Sequence, residues 1–280
     1  MKTFSTNPSG EKLNQISCNL CAANETKLFI SSKGYRFVKC ICCGLVYQNP
    51  QPDFDNLRKR YSEEYFNYEL ENEENFYRLM RLGLKDIDFF NIANSVPNRE
   101  FLDIGCATGR LLEYMRSQNW KVQGVDLTPQ SASYGRNHRK IEIFSGTLEE
   151  ANFPDSNFGV VHFSHLIEHV PDPKNFLREV DRVLMPGGLL LITTPNIRSF
   201  QAILFGSRWR SAIADHVFLF SKKTMKMYLS EFKFNILKIA TWGGLPIGSA
   251  PNFIKVPIDR LAKIYGFGDV MMFAVKKELC

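Results

Sequence analysis

The stretch that decides the fold runs Glu100-Phe-Leu-Asp-Ile-Gly-Cys-Ala-Thr-Gly-Arg-Leu-Leu-Glu-Tyr-Met115 and is followed by Val122-Gln-Gly-Val-Asp126. An apolar run ends in Asp103, a glycine turn opens a helical pattern, and a second apolar run also ends in an aspartate. This order predicts half of a nucleotide-binding βαβ unit, whose ligand lies at the carboxyl ends of the strands.

The spacing of the glycines indicates which nucleotide fits. Counting from Gly105, a dinucleotide fingerprint would need glycine at the positions of Ala107 and Arg110. Asp103 places a carboxylate where it would repel a phosphate but attract an ammonium or sulfonium group. Asp126, about 20 residues further on, can accept hydrogen bonds from both hydroxyls of a ribose. The pattern therefore predicts a cationic adenosyl ligand.

The segment 101–196 resembles the class I S-adenosylmethionine-dependent methyltransferases. Three further stretches carry the resemblance: Ser145-Gly-Thr-Leu-Glu-Glu150, Phe153-Pro-Asp-Ser-Asn-Phe-Gly-Val-Val161 and Val183-Leu-Met-Pro-Gly-Gly-Leu-Leu-Leu-Ile192. The sequence departs from the family at Thr147, where many relatives have Asp, and at Gly159, where an acid is usual. The resemblance implies a Rossmann-like, seven-stranded, mostly parallel sheet with helices on both faces, and an enzyme that uses S-adenosylmethionine as its methyl donor.

The resemblance also implies a set of cofactor-binding residues. In the family, the glycine loop packs on the methionine part, the acid after the second strand holds the ribose, and a Tyr-rich stretch folds over the cofactor. Carried over to this sequence, the set is Asp103, Gly105, Cys106, Gly109, Asp126, Leu127, Thr147, Leu148, Ser164, His165, Tyr61 and Tyr65. Aromatic packing against the sheet is an equally open explanation of Tyr61, Tyr65 and Phe66. Cys106 fits a small packing residue better than a nucleophile.

Periodicity predicts the same fold independently of the family. Short apolar runs at residues 122–126, 141–144, 160–163 and 189–193 are typical of strands that are buried on both faces. Asp172 followed by Pro173 predicts the start of a helix, and Ser221 predicts another. Residues 235–240 and 268–276 are predicted as the sixth and seventh strands, the last pair antiparallel at the edge.

The cysteine spacing predicts a second, smaller module. Cys18-x2-Cys21 and Cys40-x2-Cys43 are separated by eighteen residues, which is typical of a zinc ribbon with four thiolate ligands. A hairpin is expected around Lys33-Gly34, and Cys42 is an alternative ligand in the second pair. Reduced core cysteines are the simpler alternative. Because a segment this short cannot build its own core, the metal would be structural.

The ribbon and the segment Cys43-Gly-Leu-Val-Tyr-Gln-Asn-Pro50 together resemble a subgroup of methyltransferases that modify sugars, polysaccharides or small metabolites. We therefore expect a zinc ribbon at 1–50, a helical linker and lid at 51–97 with a helix over 76–92, and a catalytic domain at 98–280. A substrate-cap insertion is expected at about 196–220.

The candidate catalytic residues follow the fourth strand, in His162-Phe-Ser-His165-Leu-Ile-Glu168-His169. This also matches the inverted zinc-protease motif H-x-x-E-H, but Pro171 and Pro173 would end the helix which that site needs. We predict His169 as the general base, with Glu168 orienting it or the substrate. Similar methyltransferases use a Glu-His pair either in this way or to hold a divalent cation. His216, in the cap, is a second candidate base, and packing of these histidines is the alternative to catalysis.

Composition and charge limit the partners. The net charge is +6, and the basic residues are concentrated in segments 1–60 and 198–280, which favours an anionic small-molecule, sugar or glycan acceptor. An RNA methyltransferase whose ribbon contacts the nucleic acid is the alternative, although neither a base-flipping loop nor an Arg/Lys stripe interleaved with aromatics is evident. A cofactor-binding scaffold without catalysis is a third. The apolar stretches are too short for a membrane span, so we expect a cytoplasmic enzyme, of open oligomeric state.

Overall fold

The structure is a computed structural model that describes residues 5–6, 11–32, 35–245 and 251–279. The predicted hairpin tip at Lys33-Gly34 and the last residue, Cys280, lie outside the described residues. Among the helices described, none is long and apolar enough to cross a bilayer.

Among the described residues, strands come first and are followed by three helices, and from residue 100 onward strands and helices alternate. The strands are β1 (Ser5–Thr6), β2 (Lys12–Asn14), β3 (Thr26–Ser32), β4 (Tyr35–Cys40), β5 (Val46–Gln48), β6 (Gln51–Pro52), β7 (Glu100–Ile104), β8 (Lys121–Asp126), β9 (Glu142–Ser145), β10 (Phe158–Ser164), β11 (Leu184–Pro195), β12 (Phe218–Leu219), β13 (Phe234–Trp242) and β14 (Val270–Lys277). The helices are α1 (Phe54–Arg58), α2 (Glu63–Asp86), α3 (Phe89–Ile92), α4 (Arg110–Ser117), α5 (Pro129–Tyr134), α6 (Leu148–Ala151), α7 (Pro173–Val183), α8 (Phe200–Phe205), α9 (Lys222–Leu229) and α10 (Asn252–Tyr265). Short 3-10 and π turns occupy Ala93–Ser95, Gly206–Arg208 and Gly135–Arg139.

The central sheet has seven strands in the order β13-β14-β11-β10-β7-β8-β9. The pairs β11–β10, β10–β7, β7–β8 and β8–β9 are parallel, whereas β14 runs antiparallel to both of its neighbours. The seven-stranded, mostly parallel sheet predicted from the sequence is therefore confirmed. Because the parallel strands end at one edge, the loops that follow β7, β8 and β10 meet there.

Both faces of this sheet are covered by helices, as predicted. In β7, Phe101 and Leu102 are both inaccessible to solvent and belong to different hydrophobic clusters, because successive side chains point to opposite faces. One cluster includes the apolar face of α7, and the other includes that of α4. Asp172 caps α7 by accepting a hydrogen bond from the Asn175 amide at 3.1 Å.

Two elements differ in extent from the sequence expectation. Helix α2 begins at Glu63 rather than near residue 76, so most of the Tyr-rich segment is helical; Glu63 and Glu64 lie in its first turn, where the helix dipole favours acids. Asp88, at a φ of +61°, separates α2 from α3. Strand β11 begins at Leu184, before the Pro-Gly-Gly turn, and its register against β10 shifts between Phe158 and Val160.

The N-terminal module forms a second sheet, in the order β12-β5-β4-β3. Strand β12 comes from the segment after β11 and pairs antiparallel with β5, through Phe218 opposite Tyr47 and Leu219 opposite Val46. Gln48 is buried and donates from Nε2 to the carbonyls of Ala214 and His216, at 2.8 and 2.7 Å. The cysteine-rich module and the predicted substrate cap are therefore hydrogen-bonded to each other. The division at residues 50 and 97 stays a prediction.

Candidate functional site

The loop between β7 and α4 is held against the end of β8 by one carboxylate. Gly105 and Gly109 have φ values of +70° and +80°, which only glycine adopts without strain. Asp126 accepts hydrogen bonds from the Ala107 amide (Oδ2, 2.7 Å) and the Thr128 amide (Oδ1, 2.8 Å). Burial raises the pKa of Asp126 to about 6, although both hydrogen bonds favour the charged form. The loop and the predicted ribose acceptor thus form one hydrogen-bonded unit.

Asp103 lies beneath this loop rather than in open solvent. The parallel register places it opposite His162 of β10, whose Nδ1 lies 2.6 Å from Asp103 Oδ1. Both side chains are buried, and the His162 ring stacks on Phe101. The sequence analysis included His162 in the stretch of candidate bases but did not pair it with Asp103, although alignment of β7 with β10 at the same level would have done so. The role of Asp103 toward a cationic ligand stays a prediction.

Helix α2 and the residue before its cap carry two tyrosines toward the acidic pocket. The rings of Tyr61 and Tyr65 meet edge to face, with centroids 5.1 Å apart, and both side chains are half-buried. Burial, followed by the negative charge of carboxylates that include Asp126, raises the pKa of both hydroxyls. The role of these two tyrosines as a lid over the cofactor stays a prediction.

Glu69 adds a carboxyl group that the sequence analysis did not include. Its Oε2 accepts a hydrogen bond from the Ser131 hydroxyl at 2.8 Å. Burial and then the charge of Asp126 raise the pKa of Glu69 to about 8. Tyr65, Glu69 and Glu73 are spaced four residues apart and so share one helix face, a signal that was present in the sequence.

Two neighbouring acids of α2 tie the helix to the glycine loop and to the elements around it. Glu73 accepts from the Arg139 guanidinium at 2.6 Å and from the Thr108 hydroxyl. Glu74 pairs with Arg110 at 2.9 Å, on the first residue of α4. These contacts fix the position of α2 over the loop.

The remaining predicted cofactor residues occupy varied surroundings. Cys106 is buried, and a Cβ at Gly124 would come within 2.5 Å of its Sγ, which supports a packing role. Thr147 caps α6, since its Oγ1 accepts from the Glu150 amide at 3.2 Å, and the Leu148 side chain lies in the core. Leu127 is half-buried, as is Ser164 at the end of β10. Their contacts with a cofactor stay predictions.

The loop after β10 buries an ionised glutamate. Glu168 is inaccessible to solvent; Oε2 accepts from the Thr194 hydroxyl at 2.9 Å, and Oε1 lies 3.2 Å from His165 Nδ1. Burial alone would raise its pKa, but the hydrogen bond from His165 and the charges of the surrounding histidines outweigh it and lower the pKa to about 2. The segment 167–169 is a turn rather than a helix, so the zinc-protease arrangement is not present there.

The two predicted base candidates are in contact. The rings of His169 and His216 meet edge to face with centroids 4.7 Å apart. His169 donates from Nδ1 to the Asp215 carbonyl at 3.0 Å, and His216 donates to the Ser211 carbonyl at 2.8 Å. Because a carbonyl only accepts, Nε2 of each ring carries the lone pair. Burial lowers the pKa of His169, and burial with the neighbouring His169 lowers that of His216 to about 4.

Glu168, His169 and His216 therefore converge from two separate segments. Each offers a ligand atom, and these atoms all lie within 4.8 Å of one another, so the set could hold a divalent cation. Arg60 supports the second segment by donating to the Ala214 carbonyl at 2.9 Å and to Asp215 Oδ1 at 2.7 Å. Arg60 and Gln48 act across more than 150 residues of sequence, which explains why the sequence analysis missed them.

The four paired cysteines converge at the tip of the N-terminal sheet. Cys18 Sγ lies 3.4 Å from Cys43 Sγ, and Cys21 Sγ lies 3.6 Å from Cys40 Sγ. A tetrahedral zinc with Zn–S bonds near 2.3 Å requires S–S distances of about 3.8 Å, so this donor set fits such an ion. Cys42 is exposed and is not part of the cluster.

Comparison with known proteins gives one family. A family model described as "Methyltransferase domain" matches residues 72–239. A ubiquinone biosynthesis O-methyltransferase of Idiomarina loihiensis is 34% identical over 133 residues, 45% of this chain and 53% of that protein. A probable S-adenosylmethionine-dependent methyltransferase of Mycolicibacterium smegmatis is 30% identical over 130 residues, which are 46% of this chain and 49% of that protein. The chain thus spans about half the length of these curated relatives.

Solved structures share the fold. A SAM-dependent methyltransferase from Archaeoglobus fulgidus superposes with a TM-score of 0.55 at 20% identity, over 75% of this chain and 99% of that one. A SAM-dependent methyltransferase from Thermotoga maritima superposes with a TM-score of 0.55 at 19% sequence identity, over 78% of this chain and 100% of that one.

The raised pKa of Glu69 has a measurable consequence for stability. Because its pKa rises from 4.5 to about 8 on folding, Glu69 binds its proton more tightly in the folded protein than in the unfolded chain. Ionisation of Glu69 therefore lowers the free energy of unfolding. Stability should therefore fall as pH rises from about 4.5 to about 8. Glu69→Gln should remove the part of that slope above about pH 6, where the raised pKa of Asp126 no longer contributes, and should raise Tm at pH 8 and above. Thermal unfolding across this pH range tests it, with Glu71→Gln, exposed on the same helix, as the control. A Glu69→Gln variant with the wild-type slope would contradict the assignment.

Proposed function

Since this chain belongs to the class I S-adenosylmethionine-dependent methyltransferases, we propose that it methylates a hydroxyl of a small-molecule acceptor, with His169 as the general base. The observation that carries the proposal is the convergence of His169, His216 and ionised Glu168 at the carboxyl end of β10. This is the edge of the sheet where the glycine loop and Asp126 also lie.

The cofactor pocket suits a cation. Asp126 would accept hydrogen bonds from the ribose, and Tyr61 and Tyr65 would cover the methionine end. Glu69, whose pKa burial and the charge of Asp126 raise to about 8, is mostly uncharged at neutral pH, so the negative charge comes from Asp126. S-adenosylmethionine, when bound, supplies an electrophilic methyl group on a positively charged sulfur. The Asp126 carboxylate favours that charge over a phosphate.

The histidine geometry suits proton transfer from the acceptor. Nδ1 of His169 is bonded to the Asp215 carbonyl, so Nε2 is available to take the hydroxyl proton. The acceptor oxygen then forms a bond to the methyl carbon, and the electron pair of the broken C–S bond remains on sulfur. Glu168, ionised and adjacent, stabilises the protonated imidazole. His216 packs against the His169 ring and is the second base candidate.

The acceptor class is proposed from the relatives. Several relatives are named ubiquinone biosynthesis O-methyltransferases, which favours a small organic hydroxyl. The zinc-ribbon resemblance favours a sugar or glycan hydroxyl, and the basic flanks favour an anionic acceptor. The RNA alternative has no support from these relatives.

A divalent cation at Glu168, His169 and His216 is the second candidate for activating the hydroxyl. The distances within 4.8 Å favour it, because three ligands from protein would leave open positions for oxygen atoms of an acceptor. A chelator distinguishes the two candidates, because it removes a bound cation but leaves a histidine base in place.

His169→Ala should lower kcat by about 10²- to 10⁴-fold, because a positioned general base contributes that much, while S-adenosylmethionine affinity stays unchanged. His138→Ala, on an exposed histidine away from this cluster, is the matched control. Methyl transfer from labelled donor into a small-molecule pool and into RNA gives the rate.

Unchanged activity in His169→Ala would remove it as the base. Activity that is lost in EDTA and restored by Mg²⁺, with zinc still bound, would favour the cation instead. Label appearing in RNA alone would overturn the small-molecule acceptor.

We also propose that Cys18, Cys21, Cys40 and Cys43 hold a structural zinc ion. Support comes from the S–S distances of 3.4 and 3.6 Å and from the convergence of these cysteines at the end of β4, in the sheet that carries β12. The metal would stabilise β5, and through Gln48 the loop that bears His216.

Cys18→Ser should abolish binding of a single zinc ion per chain and lower Tm, because a structural zinc supplies folding free energy. Cys42→Ser, the neighbouring exposed thiol, should keep both metal and stability. Elemental analysis with thermal unfolding tests this. Zinc retained in Cys18→Ser, or lost in Cys42→Ser, would contradict the ligand set.

A further inference from the structure

Helix α10 turns its apolar side outward. Five large apolar side chains on it are more than half exposed: Phe253 (77%), Val256 (57%), Leu261 (51%), Ile264 (67%) and Tyr265 (66%). Its inward side instead carries Ala262 and the ion pair of Lys255 with Asp259, which accepts from the amides of Gly244 and Leu245. A helix that packs on a protein core normally has the opposite arrangement.

Helix α8 continues this surface. The Phe200 amide donates to the Phe267 carbonyl at 3.0 Å, so the start of α8 adjoins the end of α10. Phe200, Ile203 and Leu204 are exposed, whereas Gln201 and Ala202 are buried. We call the exposed apolar residues of both helices, together with Phe267, the apolar ridge. A contiguous patch of this kind marks an interaction surface.

A basic groove of about 1080 Å³ lies beside the ridge, and Ile264, Tyr265 and Gly266 form part of its wall. Six cationic side chains line it: Lys39, Arg198, Lys222, Lys223, Lys226 and Lys263. None of the described lining residues is acidic. Lys263 pairs with Asp86, while the other five make no ion pair within the described part of the chain.

The charge decides what covers the ridge. A second copy of this chain docked about a two-fold axis would bring one basic groove toward the other, and the like charges would repel. The occupant must offer an apolar layer and negative charge together. Apolar side chains flanked by unpaired lysines are the chemistry of surfaces that lie in the headgroup region of anionic bilayers.

We propose that the apolar ridge and the basic groove dock this protein on an anionic membrane surface. The ridge enters the interface, and Lys222 and Lys223, at the start of α9, contact lipid phosphates. Neither the apolar ridge nor the basic groove contains a residue of the proposed catalytic cluster, so membrane docking is separable from methyl transfer.

Flotation with vesicles of phosphatidylcholine, with or without phosphatidylglycerol, tests this on the full chain. Wild type should float with the anionic vesicles and release at high salt. Lys222→Ala/Lys223→Ala should weaken partitioning about 30-fold, at about fivefold for each charge removed. Phe253→Ser/Ile264→Ser should weaken it by at least about tenfold. Leu79→Ser/Leu82→Ser, on the exposed side of α2, should float as wild type does, and all variants should keep the wild-type Tm.

Wild type that floats with neither vesicle, or equally with both, would overturn the proposal. So would a ridge variant that floats like wild type. Light scattering tests the other occupant, a second copy of this chain. If the wild type is a dimer that does not bind vesicles, and the ridge variant is a monomer, the ridge is an interface between two copies.

Discussion

The hydrogen bonds from the amides of Ala107 and Thr128 to Asp126 are the interaction on which the site depends. A buried carboxylate is costly unless N–H groups compensate it. Here the Ala107 amide comes from the glycine loop that Asp126 positions, and the Thr128 amide comes from the segment that follows β8. The parallel sheet brings this unit to the same edge as the end of β10. The acidic pocket and the histidine cluster therefore adjoin because of strand order.

A second constraint joins the N-terminal module to the catalytic loop. Pairing of β5 with β12 continues one sheet from the cysteine cluster to Phe218, and Gln48 binds the carbonyl of His216. Arg60 holds the neighbouring Asp215, whose carbonyl accepts from His169. The orientation of both histidines thus depends on groups more than 100 residues earlier in the chain. A structural metal in this module would act on catalysis through positioning.

Much of the fold was predictable because its signals are local. Apolar runs, the glycine turn and the capping residues Asp172 and Ser221 each act within a few residues. The start of α2 was misplaced because its exposed, Glu-rich face shows little apolar periodicity. The segment at about 196–220 was predicted as an insertion, but the pairing of β12 with β5 depends on contacts that no local pattern records.

In the site, sequence reasoning selected residues that the structure does bring together, such as Glu168, His169 and His216. It missed Glu69, although its spacing from Tyr65 was readable, because an acid on a lid helix is ordinarily solvated. It missed the basic groove because the cations come from four distant segments, none of which is notable alone.

The most direct test of the account is calorimetric titration of the zinc-loaded protein with S-adenosylmethionine and, separately, with NAD. We expect saturable binding of S-adenosylmethionine, weakened roughly 10- to 100-fold by Asp126→Ala through loss of hydrogen bonds to a charged acceptor, and no binding of NAD. Binding of NAD by a folded protein that does not bind S-adenosylmethionine would contradict the account.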